Sequence, residues 1–222
     1  MIQLTNVERH YVMASETIKA LDGITLSIPE GERVVLLGPS GSGKTTLLNC
    51  ISGLDTPTAG RYTFDENPVE GNSEELTTFR RKNVGYVFQF FNLLQDLTVL
   101  ENVLLIQELS GQRDASRAKE VLRLVGLQSE IDRFPSEISG GQQQRVAIAR
   151  SIAKNPKLLL GDELTGNLDT ETSAKVMDVL TSACKKEKIT TIMVTHDESL
   201  AKYATRIIHL DSGKVKSDEK VT

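Results

Sequence analysis

The eight residues Gly38-Pro39-Ser40-Gly41-Ser42-Gly43-Lys44-Thr45 constrain this chain more than any other stretch. Before them, Arg33-Val34-Val35-Leu36-Leu37 reads as a buried strand ending at Gly38. After them, residues 44–52 place Leu47, Leu48 and Ile51 on one helical face. A strand, a glycine-rich turn and a helix form the arrangement a phosphate cradle requires, and the spacing matches G-x-x-x-x-G-K-[ST]. Glycines let backbone N–H groups wrap a β-phosphate, and the helix N-terminus adds positive potential. Lys44 is placed to reach β- and γ-phosphate oxygens, and Thr45 to offer its hydroxyl to Mg²⁺.

The remaining elements follow from periodicity. Ile24, Leu26 and Ile28 alternate with polar residues before the turn Pro29-Glu30-Gly31, and 84–88 is a second strand candidate. The middle of the chain turns helical. Thr98-Val99-Leu100-Glu101 is a capping box opening a helix to about Leu109, and Ala118, Val121, Leu122 and Val125 mark a helix over 114–125 closed by Gly126. A third helix covers 140–153 and stops at Asn155-Pro156. Strands and helices then alternate again: a strand over 157–160, a helix over 170–185 carrying Ser173, Val176, Leu180 and Ala183, and a strand over 191–194. Residues 206–210 and 214–216 form a hairpin around Asp211-Ser212-Gly213, and 217–222 are expected to fray. Alternating strands and helices imply a largely parallel sheet with its ligand at the carboxyl edge.

Two further features bear on chemistry. Leu158-Leu159-Leu160-Gly161-Asp162-Glu163 ends a core strand in adjacent carboxylates; Asp162 can hold Mg²⁺ while Glu163 polarises an attacking water. Ile138-Ser139-Gly140-Gly141-Gln142 opens a helix with a hydroxyl and two unobstructed glycine amides, a second phosphate-grade terminus. One nucleotide-grade loop and one spare cap in a single chain suggest a two-fold dimer, in which each copy's cap completes the other's loop.

With these residues in view the chain resembles the ATP-binding cassette (ABC) family over nearly its whole length. Residues 38–45 resemble its Walker A motif, 158–163 its Walker B motif and 139–142 its signature, with 138–150 (ISGGQQQRVAIAR) especially specific. The resemblance implies a P-loop NTPase of ABC type, an α/β fold with a mostly parallel core sheet, an N-terminal antiparallel β-subdomain and an inserted helical subdomain. On that reading residues 1–222 are a single ABC ATPase domain. Residues 1–89 and 154–222 form the nucleotide-binding core, and 90–153 the helical subdomain with the signature.

The resemblance also assigns residues. Tyr11 stacks on adenine; Gly38, Pro39, Ser40, Gly41, Ser42, Gly43, Lys44, Thr45 and Thr46 hold the phosphates. Gln89 contacts Mg²⁺ and the attacking water; Ser139, Gly140, Gly141 and Gln142 face the nucleotide of the second copy. Glu137 faces a membrane partner, Asp169 lies in the D-loop that crosses the dimer interface, and His196 contacts the γ-phosphate. Thr45, Gln89 and Asp162 form the metal set; Glu163, His196 and Lys44 the catalytic set. Three positions depart from the family pattern: Leu164 replaces the usual proline, Ile138 a leucine and Gly161 an alanine.

Some residues keep two readings. Tyr11 is a stacking or a packing aromatic, and Phe90 and Phe91 are core residues or the groove for a coupling helix. His10 reads as solvated, His209 as structural, and Arg80-Arg81-Lys82 as the cationic end of a helix. Cys50 and Cys184 have no ligand-spaced companions and read as reduced thiols.

Composition narrows the function. The 222 residues carry a net charge of −4, which disfavours a broad nucleic-acid footprint. Apolar runs reach only four residues, as in 34–37, against about 20 for a membrane span, so a transporter role demands a separate transmembrane permease subunit. The start Met1-Ile2-Gln3-Leu4 lacks a leader pattern, so the expected location is cytoplasmic, on the inner face of the membrane through that partner. Residues 162–169 (DELTGNLD), 54–57 and 87–94 resemble the subfamily behind lipoprotein release and macrolide or peptide export. The expected function is ATP hydrolysis with Mg²⁺ by a homodimer that drives export. The alternative is a cell-division-type regulator acting on a membrane partner without transport.

Overall fold

The computed structural model describes residues 1–13 and 16–221. Along the chain the elements are β1 (Ile2–Val12), β2 (Thr17–Ile28), β3 (Arg33–Leu37), α1 (Lys44–Ser52), β4 (Ala59–Phe64), β5 (Asn67–Pro68), α2 (Ser73–Asn83), β6 (Val84–Val87), α3 (Val99–Leu109), α4 (Ala115–Leu124), α5 (Gly140–Ile152), β7 (Leu158–Asp162), α6 (Thr170–Glu187), β8 (Thr190–Val194), β9 (Arg206–Asp211) and β10 (Lys214–Lys220). Short 3-10 turns cover Pro135–Glu137 and Glu198–Tyr203. The chain divides into two compact units, Met1–Arg80 with Thr190–Thr222, and Arg81–Ile189.

The first unit holds an antiparallel sheet in the order β2-β1-β4-β5. Cross-strand register builds its apolar face in rows. Ile2 lies opposite Ile28 and Phe64, and Leu4 opposite Leu26 and Tyr62, all buried. The next buried residue of β1 is Val7, which strict alternation would turn to the other face. An irregularity between Leu4 and Val7, with Asn6 at φ 48°, supplies the extra residue that returns Val7 to the core.

The same unit contains the parallel set. β3 pairs in parallel with β8 on one side and β9 on the other, and Val34, Val35, Leu36 and Leu37 are all buried, as a central two-faced strand requires. α1 buries Leu47, Leu48, Cys50 and Ile51 and ends at Gly53 in the left-handed conformation. Arg80 Nη1 donates to the Gly53 carbonyl at 2.5 Å, so this cation serves the C-terminus of α1, beyond the helix that carries it.

The chain end corrects one expectation. β10 continues to Lys220, with Ser217 opposite His209 and Asp218 opposite Ile208. The cause is Arg206, whose Nε and Nη2 donate to the two Asp218 carboxylate oxygens at 2.6 Å, while Nη1 donates to Glu32 at 2.9 Å and to the Ser27 carbonyl at 2.8 Å. The guanidinium holds the Asp218 carboxyl below its ordinary value. A carboxyl lowered on folding stabilises above its unfolded pKa of about 4, and that contribution is lost as pH falls through the folded value. Arg206→Met should therefore lower the thermal midpoint at pH 7, and the gap to the parent should narrow on acidification below about pH 4. A gap that stays constant with pH would remove Asp218 as the partner.

In the second unit β6 and β7 pair in parallel, Val84 to Leu158 through Val87 to Gly161. α5 packs on β6: Ser151 Oγ donates to the Tyr86 carbonyl at 2.8 Å, and a Cβ on Gly85 would meet the Ser151 carbonyl at 2.7 Å. Thr98 and Glu101 form the expected capping box at α3, and Asp114 caps α4. Arg145 of α5 donates to the Val125 carbonyl at 2.9 Å, closing α4 where Gly126 turns away at φ 69°. Both cysteines, Cys50 and Cys184, are free and buried. Among the described residues no helix is long and apolar enough to cross a membrane.

Candidate active site

The phosphate loop belongs to the first unit. Two of its glycines are obligatory for separate reasons. A Cβ on Gly38, at φ 151°, would stand 2.1 Å from the Leu210 carbonyl oxygen, and one on Gly43, at φ 100°, would stand 2.4 Å from the Ala20 carbonyl oxygen. Both neighbours are backbone and cannot yield, so the loop is threaded between β2 and the end of β9. Pro39, Ser40, Gly41 and Thr45 are exposed, and Gly41 has open space where a side chain would be. Lys44 is only 8% exposed, and its ammonium donates to the carbonyls of Gly38 at 2.7 Å and Pro39 at 2.9 Å.

Gly43 caps α1 with no side-chain acceptor, and the first turn of α1 carries no acidic residue. Ser42 Oγ is buried without a hydrogen-bond partner. An orphaned hydroxyl, an uncapped helix start and a lysine curled into its own loop fit a phosphate group as the missing acceptor.

His196 follows β8, exposed, in a turn where Asp197 N donates to Thr195 Oγ1 at 3.0 Å. Leu36 of β3 lies opposite Val194 of β8, so Gly38 and His196 leave adjacent parallel strands at the same end and the same level. Tyr11 lies on β1, with its hydroxyl donating to Asp55 Oδ2 at 2.7 Å and the Arg9 guanidinium 4.5 Å from its ring centroid. Arg9 also grips Asp55 with Nε at 2.9 Å and Nη2 at 2.8 Å. One ring face of Tyr11 is therefore taken by a cation, and the residue stays 36% exposed. Thr46, half-buried on α1, is a further hydrogen-bonding neighbour of Tyr11.

The second unit carries the carboxylates. Asp162 ends β7 and Glu163 follows at φ 49°, both half-buried. The pairing of β6 with β7 ends at Val87 and Gly161. Beyond it a Cβ on Gly166 would lie 3.1 Å from Gln89 Nε2 and 3.5 Å from the Glu163 carbonyl oxygen, so the Gln89 side chain reaches the turn that Glu163 opens. Asn167 Nδ2 donates to the Gln89 carbonyl at 3.1 Å, joining that segment to the 163–169 turn. Arg150 of α5 donates to the carbonyls of Asn92 at 2.5 Å and Phe91 at 3.0 Å, holding the chain just past Gln89.

Ser139 caps α5: its Oγ accepts from Gln142 N at 3.3 Å, and Gln142 Oε1 accepts from Ser139 N at 2.9 Å. A Cβ on Gly140 would make ordinary contact with Leu168 Cδ2 at 3.6 Å, whereas one on Gly141 would stand 2.4 Å from Thr172 Cγ2. Asp169 caps α6 by accepting from Thr172 N at 3.0 Å, and its hydrogen bonds with Thr172 lower its pKa. Glu137 accepts from Phe134 N at 2.7 Å.

The sequence left some partners unseen. Nothing local in the sequence marks Arg9 and Asp55 as partners of Tyr11, or Arg150 as the residue that holds the chain past Gln89. His10 departs from the solvated reading: its Nε2 is buried, 3.6 Å from Glu8 and 4.0 Å from Asp22. The two phenylalanines divide. Phe90 is 66% exposed, while the half-buried Phe91 ring lies 3.6 Å from where a Cβ on Gly140 would be.

A family model described as ABC transporter matches residues 21–166, and the chain belongs to that family. It is an ATP-binding cassette, an ATPase of the mixed α/β kind with an antiparallel N-terminal sheet and a parallel core. Among its relatives is an uncharacterised ABC transporter ATP-binding protein of Methanocaldococcus jannaschii, MJ0796, 44% identical over 100% of this chain and 97% of the relative. The lipoprotein-releasing system ATP-binding protein LolD 2 of Chlorobaculum tepidum is 42% identical, over 98% of this chain and 92% of its own length. Other relatives are longer. The chain spans 44% of ABC transporter H family member 2 of Dictyostelium discoideum and 31% of a macrolide export ATP-binding/permease protein, MacB, of Syntrophobacter fumaroxidans. A solved dimeric structure of MJ0796, described as a post-hydrolysis state bound to ADP and Pi, superposes with a TM-score of 0.89 at 42% identity, covering 100% of this chain and 99% of that one.

Proposed function

We propose that this chain is the ATP-hydrolysing subunit of an export or lipoprotein-release transporter, working as a homodimer on a separate transmembrane permease subunit. The observation that carries the reading is the presence in one chain of a phosphate loop with an orphaned Ser42 hydroxyl and a second, signature-type helix terminus at Ser139. Its likeness to a cassette solved as a dimer with ADP and Pi supports the two-copy arrangement, and its likeness to LolD and MacB supports the export role.

ATP is the substrate. Tyr11 stacks on the base; the backbone of 38–43, with Lys44, Thr45 and Thr46, takes the phosphates. Ser139, Gly140, Gly141, Gln142 and Asp169 of the second copy close over them. Thr45, Gln89 and Asp162 are hard oxygen donors of the kind Mg²⁺ takes, and the ion supplies charge neutralisation on the phosphates. Glu163 accepts the proton of the attacking water, while His196 and Lys44 stabilise charge on the transferring phosphoryl group. Residues 90–153 act as the helical subdomain that carries the signature, against a core of 1–89 and 154–222. The subunit works at the cytoplasmic face of the membrane, bound to its permease.

Recovery of the chain from native membranes in mild detergent, with partners identified by mass spectrometry, tests the transport role. A membrane subunit with a large external domain is the expected partner. A division protein would favour the regulator instead, and a ribosome would overturn both.

A further inference from the structure

Two of the residues that depart from the family pattern, Gly161 and Leu164, touch. A Cβ on Gly161 would lie 2.7 Å from Leu164 Cδ1, 2.8 Å from Cγ and 3.0 Å from Cδ2. Leu164 is 4% exposed, so it cannot swing outward to relieve such a contact without giving up its packing. Its main-chain carbonyl accepts from Gln144 Nε2 at 2.8 Å, and Gln144 on α5 is itself fully buried. Leu164 is thus gripped at both ends, by β7 through its side chain and by α5 through its carbonyl.

Glu163 immediately precedes it, at φ 49°, a left-handed conformation that a non-glycine side chain keeps only where its surroundings over-determine it. Gly166 N donates to the Glu163 carbonyl at 3.1 Å, closing a turn that begins at this residue. A proline at 164 would itself press residue 163 toward extended backbone. A leucine imposes no such demand, but it needs the room over position 161 that only glycine leaves.

We propose that Leu164 is a positioning residue: wedged over Gly161 and tethered to α5 by Gln144, it fixes the left-handed turn from which Glu163 presents its carboxylate. This rests on the reading of Glu163 as the general base. Ser139 caps α5, so on the same reading the tether also ties the general base to the helix whose first turn faces the second copy's nucleotide.

The test measures kcat, KM for ATP, ATP affinity and thermal midpoint for Gly161→Ala, Leu164→Ala, Gln144→Leu, the Gly161→Ala/Leu164→Ala double variant and Glu163→Gln. Each single change at 161 or 164 should lower kcat roughly 10- to 100-fold, the scale of misplacing a catalytic group by about 1 Å. KM and affinity should stay within about twofold, because the phosphate loop lies on other elements. Gln144→Leu should move kcat in the same direction. The double variant should recover above either single one, since shortening Leu164 removes the carbons that the new methyl meets.

Folded variants turning over at the parental rate would overturn the proposal, as would a kcat loss that merely tracks the folded fraction. Should Leu164→Ala not fold, Leu164→Met keeps the volume without the branched fit and is read in the same way. An inert Glu163→Gln beside parental Gly161→Ala and Leu164→Ala would sink the positioning role alone. A fully active Glu163→Gln would sink the general-base reading beneath it.

Discussion

Replacing Glu163 with glutamine should leave ATP binding intact and lower turnover by roughly 10²–10⁴-fold, the usual weight of a general base. The side chain keeps its size and its half-buried place at the end of β7, but an amide cannot accept the proton of an attacking water. The prediction is specific because, on the proposed reading, the neighbouring Asp162 serves the metal and Gln89 carries an amide with no basic oxygen. Steady-state phosphate release with the ATP affinity measured in parallel checks it. A turnover within a few-fold of the parent would take Glu163 out of the reaction.

Lys44→Ala should weaken ATP binding by roughly 10- to 100-fold, following from about 1.5–3 kcal/mol for a hydrogen bond to a charged group. Two effects combine. The ammonium proposed to meet the phosphates is lost, and so is the tie that curls the loop through the carbonyls of Gly38 and Pro39. Those carbonyls would then face an anion with no cation between them. Titration with a fluorescent ATP analogue gives the value, and an unchanged affinity would remove 38–45 as the nucleotide site.

Much of this was legible in sequence because the signals were local. The loop 38–45 sits between a strand with four buried apolar residues and a helix with a clear apolar face, and the structure keeps both boundaries. Thr98 with Glu101, and Ser139 with Gln142, are capping pairs three residues apart, and each caps its helix in the structure. What was not legible depended on distance. β1 hid because its irregularity at Asn6 breaks the alternation that would have announced it. Residues 217–222 read as a fraying end; Arg206, twelve residues before Asp218, holds 217–220 in a strand. His10 looked solvated because its carboxylate neighbour Asp22 arrives on β2. The contact between Gly161 and Leu164 had no local signature beyond two unusual letters.

The central claim is that the nucleotide is shared between two copies. The most direct measurement is the sedimentation mass of Glu163→Gln with Mg-ATP, with ADP and without nucleotide, together with the number of nucleotides retained. A dimer holding two ATP molecules, formed with ATP and absent with ADP, is the predicted result. A protein that binds ATP with full affinity and remains a monomer would contradict it.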